Sequence, residues 1–121
     1  MDILGITIWR EARGEGAAGM TGVYWVIRNR SAASPHNGWP ADLEQVCLQP
    51  FQFSCWNSSD TQRAKYPGVD DPQYKAIPGF YSQPDPTGGA TAYYDTSIVP
   101  PPWARQSEFK TQIGSLKFYR V

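Results

Sequence analysis

Ile3-Leu4-Gly5-Ile6-Thr7-Ile8-Trp9-Arg10-Glu11-Ala12-Arg13-Gly14-Glu15-Gly16 decides how the chain begins to fold. Ile3, Ile6, Trp9 and Arg10 recur at the three-to-four spacing of an amphipathic helix, and Gly14 and Gly16 interrupt it. A helix closing near Gly14 follows, because glycine accepts the left-handed backbone that ends a helix. A second helix is predicted from about Glu15 to Arg30. Met20, Val23, Tyr24 and Ile27 form its buried stripe, with Arg28 and Arg30 at an exposed C-terminal end. Gly19 and Gly22 each cost roughly 1 kcal/mol relative to alanine there, which close packing against a neighbour would offset.

Further along, Ser34–Pro40 is a loop by its breakers, and Asp42 can cap a short helix to about Leu48. Phe51–Asn57 is aromatic-rich. From Ser58 to Pro86 the chain is polar and carries five prolines, so at most one or two helical turns are expected, near Thr61–Tyr66 and Pro72–Ala76. Ala90–Asp95 follows a Gly88-Gly89 turn and has strand-forming residues. Phe109–Ile113 and Leu116–Arg120 flank Gly114-Ser115, a two-residue hairpin signal. The fold class is therefore α+β, with N-terminal helices and a small C-terminal antiparallel sheet.

The 121 residues fit one domain, 1–121. Eleven Lys+Arg balance eleven Asp+Glu, which argues against a nucleic-acid partner bound through a basic face. No apolar run approaches the roughly 20 residues of a membrane span. With 40% hydrophobic and 14% aromatic residues, the chain can build a core. Two Cys and one His fall short of the about four ligands of a structural zinc site, so no metal or cofactor is expected. Arg10 and Glu11 cut off the apolar start before it could serve as a signal peptide.

Glu11 is the first candidate for chemistry. A carboxyl half-buried against aromatic rings has its pKa raised by desolvation, so it can hold a proton near neutral pH and donate it. Cleaving a glycosidic bond needs that proton on the leaving oxygen. Alternatively, Glu11 is an exposed helix carboxylate pairing with Arg10 or Arg13. Aromatic and amide side chains interleave at Phe51–Asn57, Tyr93–Asp95 and Trp103. Such surfaces suit sugar rings, although the same aromatics also fill cores. A cysteine protease or amidase would need a thiolate activated by histidine, and His36 precedes Cys55 in a Pro/Gly loop. Cys47 and Cys55 could be bridged or be buried thiols.

Five pieces occur in one order: Glu11-Ala12-Arg13-Gly14-Glu15, Val26-Ile27-Arg28-Asn29-Arg30, Gln52-Phe53-Ser54-Cys55-Trp56-Asn57, Asp85-Pro86-Thr87-Gly88-Gly89-Ala90-Thr91-Ala92-Tyr93-Tyr94, and Ile113-Gly114-Ser115-Leu116-Lys117-Phe118-Tyr119. Together they resemble the cell wall hydrolase family of the spore cortex-lytic enzyme type (SleB/CwlJ-like catalytic domains), including its phage-borne, endolysin-like members. The resemblance runs from about Ile3 to Arg120. It implies a reduced lysozyme-like fold and a lytic transglycosylase that cuts peptidoglycan strands between N-acetylmuramic acid and N-acetylglucosamine.

On that resemblance Glu11 is the single catalytic glutamate and Glu15 a supporting carboxylate. Gln52, Phe53, Ser54, Trp56, Thr91, Tyr93, Tyr94, Asp95 and Trp103 are the expected supporting or substrate-binding residues. One tyrosine of the pair Tyr93/Tyr94 is implied to hold the catalytic carboxyl. One departure stands out: Ile77-Pro78-Gly79-Phe80 should break the helix that usually precedes the Asp-Pro-Thr-Gly-Gly segment, cutting down one wall of the cleft.

Hydrolysis by a Glu11/Glu15 or Glu11/Asp95 pair is the alternative chemistry, and a non-catalytic peptidoglycan-binding module the alternative class. The expected partner is the glycan strand and the expected state a monomer. It is expected to be made in a host cytoplasm and released to the cell wall by another factor, or carried on a virion.

Overall fold

The computed structural model describes residues 1–50 and 52–121, so Phe51 of the aromatic stretch lies outside the described residues. Among these described residues, four α-helices and a three-stranded sheet follow one another in the expected order. Helix α1 spans Ile3–Ala12, opened by Asp2, whose side chain accepts from the Gly5 amide at 3.0 Å. Gly5, Ile6, Thr7, Ile8, Trp9, Arg10 and Ala12 are all buried. The helix is thus covered nearly all round instead of being amphipathic, as a central core helix is. Its two buried polar residues have partners. Thr7 donates to Ile3 O at 2.7 Å, and Arg10 reaches three backbone carbonyls.

The chain does not stop at Gly14. It tightens into a 3₁₀ turn over Arg13–Glu15, and the left-handed residue is Gly16, at φ 76°. Helix α2 then runs Gly16–Ala33 through the centre, packed against α1, two further helices and the sheet. A Cβ on Gly22 would lie 2.7 Å from Cζ of Phe118, a fully buried ring. The glycine's helix cost is therefore the condition for the sheet's close approach. Arg30, expected at an exposed end, is buried with only 8% of its surface accessible.

Asp42 caps helix α3, Leu43–Leu48, by accepting from the Gln45 amide at 3.0 Å. Helix α4, Pro72–Phe80, corrects the expected break at Pro78. Pro72 sits in the first turn, where its missing N–H costs nothing. Pro78 falls near the end and forfeits little of the ladder. Side-chain bonds hold the helix in place: Trp9 Nε1 donates to Asp71 at 3.2 Å and Tyr74 Oη to Asp2 at 2.6 Å, while Ile77 is fully buried. Tertiary anchoring outweighs the roughly 3 kcal/mol that an interior proline costs.

Strands β1 (Ala92–Asp95), β2 (Phe109–Ile113) and β3 (Leu116–Tyr119) form an antiparallel sheet in the order β1-β3-β2. The β2–β3 hairpin turns at Gly114-Ser115, with Gly114 at φ 57° as a tight turn requires. Phe118 and Leu116 bring the sheet into the same apolar cluster as Ile8, Val23, Ile27 and Val46. Among the described residues, no helix is long and apolar enough to cross a membrane.

Candidate active site

Glu11 lies in the last turn of α1, and its position is set by what covers that turn. Arg10, its neighbour, donates from Nε to Lys65 O at 2.9 Å, from Nη2 to Arg63 O at 2.8 Å and from Nη1 to Cys55 O at 3.3 Å. Its guanidinium also stacks between the rings of Trp56 and Tyr66, at 4.5 and 4.7 Å. These bonds pull the Cys55–Lys65 segment onto α1 and carry Cys55 and Asp60 towards the Glu11 carboxyl. Arg13 donates to Trp9 O, Arg10 O and Gln62 Oε1. Neither arginine pairs with Glu11, which removes the exposed ion-pair alternative.

From the opposite side, Tyr93 Oη donates to Glu11 Oε1 at 2.8 Å. The delivery of that tyrosine begins in α2. Asn29 Nδ2 donates to Asp85 at 3.0 Å and to Ala90 O at 2.9 Å, and Arg30 Nε to Thr91 O at 2.6 Å. Asp85 closes the turn ahead of β1 by accepting from Thr87 and from the Gly89 amide. Burial pushes the Asp85 carboxyl up, but the bonds from Thr87, Asn29 and Gly89 together outweigh it and hold it below its ordinary value. β1 therefore enters the sheet with Tyr93 aimed at Glu11.

Burial is the largest influence on Glu11 and raises its pKa. The Tyr93 bond opposes it, the Asp60 charge adds to it, and the Cys55 thiol and amide oppose it; the net displacement is upward. The protonated acid is thereby favoured. Tyr93 is pushed well above its ordinary value by burial and by Glu11, so its hydroxyl remains a donor.

The carboxyl opens into a depression of about 290 Å³ lined by Glu11, Gln52, Phe53, Ser54, Tyr93 and Trp103, among others including Tyr94. A second depression of about 500 Å³ continues it beyond Arg30, Gln52 and Tyr93 towards Asn37 and Trp39. Trp103, 36% exposed, borders both. Tyr94 turns to the other face of β1 and stacks on Tyr119 at 5.9 Å.

Four expected site residues are used elsewhere. Glu15 accepts from the Ser115 amide at 3.1 Å and from the Ser115 hydroxyl, tying the start of α2 to the hairpin turn. Asp95 accepts from the Ser97 amide at 2.9 Å, closing the turn after β1. Trp56 donates to Thr7 Oγ1 at 2.7 Å beneath Arg10. Thr91 is buried, with its carbonyl on Arg30 and its hydroxyl accepting from the Val121 amide.

Arg30, Trp39 and Asp60 were not anticipated. Arg30 had a signal: it stands on the i, i+4 row of Val26 and shares the face of Val23 and Ile27. Cys47 and Cys55 are free, buried thiols. Burial raises both, Cys47 to about 11. A buried, protonated Cys55 and an exposed His36 packed edge-on to Trp39 do not form a nucleophile–base pair. Among the described residues, no group of three His, Cys, Asp or Glu side chains could hold a metal ion.

A family model described as Cell Wall Hydrolase matches residues 14–119, starting just after Glu11. Among solved structures, the chain is similar to the catalytic domain of the germination-specific lytic transglycosylase SleB from Bacillus anthracis. That likeness has 24% identity and a TM-score of 0.77, and covers 98% of this chain and 92% of that one. The catalytic domain of the Bacillus cereus SleB protein is similar at 24% identity and a TM-score of 0.77, covering 98% of this chain and 88% of that one. Curated proteins gave no match.

Proposed function

The chain belongs to the cell wall hydrolase family, and on that premise we propose that it is a lytic transglycosylase acting on peptidoglycan glycan strands, with Glu11 as its one acid and base. The protonated carboxyl donates to the oxygen between N-acetylmuramic acid and N-acetylglucosamine as oxocarbenium character develops at the muramic anomeric carbon. The carboxylate left behind takes the proton of the same sugar's C6 hydroxyl, whose oxygen closes a 1,6-anhydro ring. An intramolecular nucleophile gains effective molarity, so no second carboxylate is required. In this reading the enzyme works as a monomer of one catalytic domain, 1–121, on the bacterial cell wall.

One observation carries the reading: a carboxyl of raised pKa, hydrogen-bonded by Tyr93 in a sugar-sized depression whose described lining includes no other carboxylate. A two-carboxylate hydrolase would hold its groups about 5–9.5 Å apart across the bond, and Glu15 and Asp95 are bonded to turns of their own. Product mass decides between the two outcomes. Strands cut by this chain should end in anhydro-muramic residues, one water lighter than hydrolytic products. A spectrum containing only reducing ends would replace the transglycosylase with a hydrolase.

Tyr93→Phe provides a second test. The lost hydrogen bond favoured the charged form of Glu11, so its removal raises the pKa further. An acid must be protonated to donate, and activity falls as pH rises through that pKa. The falling limb of kcat/KM should therefore move to higher pH, while kcat drops about tenfold as the carboxyl loses its orientation. A limb that stays in place would remove Tyr93 from the catalytic arrangement.

A further inference from the structure

Arg30 stands where the two depressions meet and lines both. It is 8% exposed, and its partners are neutral: Nε donates to Thr91 O at 2.6 Å and Nη1 to Gln52 Oε1 at 3.1 Å. The rings of Trp39 and Phe53 flank the guanidinium, each 5.4 Å away. Among the described residues the one ion pair is Lys75–Asp70, so no carboxylate pairs directly with Arg30. Nη2 has no acceptor among them either, and it is not sealed from solvent. Burying a cation without a counter-charge is costly, and burial does press this guanidinium towards its neutral form. A planar fork with one free edge in a cleft suits a carboxylate.

We infer that Arg30 is the receptor for a carboxylate carried by the muramyl substituent of the substrate, seated in the depression beyond Glu11. The inference rests on the proposed glycan substrate and adds to it the feature that would distinguish muramyl strands from uncharged N-acetylated ones. Two sources share this chemistry: the lactyl group itself and the peptide attached to it. Arg30 also grips Thr91 O and so helps to place Tyr93; its role as a receptor is therefore read from binding affinity and not from turnover.

The test uses the inactive Glu11→Gln chain, so that binding is read without turnover. Three soluble strands serve as probes: strands carrying stem peptides, amidase-stripped strands with free lactyl carboxylates, and either kind after carbodiimide coupling to methylamine. The acidic form should bind at least about tenfold tighter than its neutralised counterpart, and high salt should erase the difference. Preference among stripped strands assigns the lactyl group; preference confined to peptide-bearing strands assigns the peptide. Adding Arg30→Gln should bring acidic and neutral strands to the same affinity.

Should that variant fail to fold, Arg30→Lys decides, since it keeps the charge and loses the fork: the preference should drop severalfold. Equal binding of acidic and neutral strands by the Glu11→Gln chain, or full preference in the Lys variant, overturns the inference. Anhydro products from the unsubstituted enzyme would leave the proposed function standing in either case.

Discussion

Glu11→Gln should reduce strand cleavage by about a thousandfold or more, within the range that a general acid supplies, while leaving peptidoglycan pull-down largely intact. Release of soluble muropeptides, followed by chromatography, is the measurement. Unchanged release would place the chemistry at another residue, and retained binding with no cleavage by the unsubstituted protein would favour a binding module. A stability comparison separates this loss from unfolding. Glu11 is raised in the folded chain, so its contribution is present below the unfolded carboxylate range and is lost as pH rises through the folded pKa. The neutral amide carries no such loss. The variant should therefore melt at the same temperature as the parent or higher at neutral and alkaline pH.

The second large effect belongs to Arg10. Arg10→Met keeps the stem but withdraws hydrogen bonds from the carbonyls of Cys55, Arg63 and Lys65. Bonds from a charged donor contribute roughly 1.5–3 kcal/mol each, and buried acceptors left unpaired lose more. A cost of about 3–5 kcal/mol is expected, a large share of the about 5–15 kcal/mol that stabilises a domain. The melting temperature should fall by about 10–20 °C. Activity should fall too, because the segment bearing Cys55 and Asp60 is no longer drawn against Glu11. A shift of only a degree or two would mean that the segment is held by its own turns.

Local signals explain what could be read in advance. Asp42 three residues before Gln45 is a cap whatever surrounds it, and Gly114-Ser115 between apolar runs turns a hairpin by its own backbone preference. Elements ruled by partners distant in sequence were harder. Pro78 argues locally against a helix, and it is partners more than sixty residues upstream, Trp9 and Asp2 among them, that keep α4 in place. Arg30 looks like a solvated end until Trp39, Phe53 and Thr91 close around it.

The site divides in the same way. Glu11 stood out because of its neighbours in sequence, whereas the choice between Tyr93 and Tyr94 depends on which face of β1 meets α1. Alternation along a strand offers both faces equally when both residues are tyrosine. Glu15 was expected as a supporting carboxylate through the resemblance. The 3₁₀ turn at Arg13–Glu15 ends the helical repeat of α1, and the Glu15 carboxylate accepts from Ser115.

Asn29 and Arg30, consecutive on α2, grip the carbonyls of Ala90 and Thr91, the two residues that lead into β1. A slip of the strand by one place towards its C-terminus would bring Ala92 to the position of Tyr93 and leave the acid without its phenol. Such a slip must break both grips together. The alignment of the Glu11 carboxyl and the phenol is thus clocked by a helix across the domain, and loosening the end of that helix should disturb the proposed chemistry before it melts the protein.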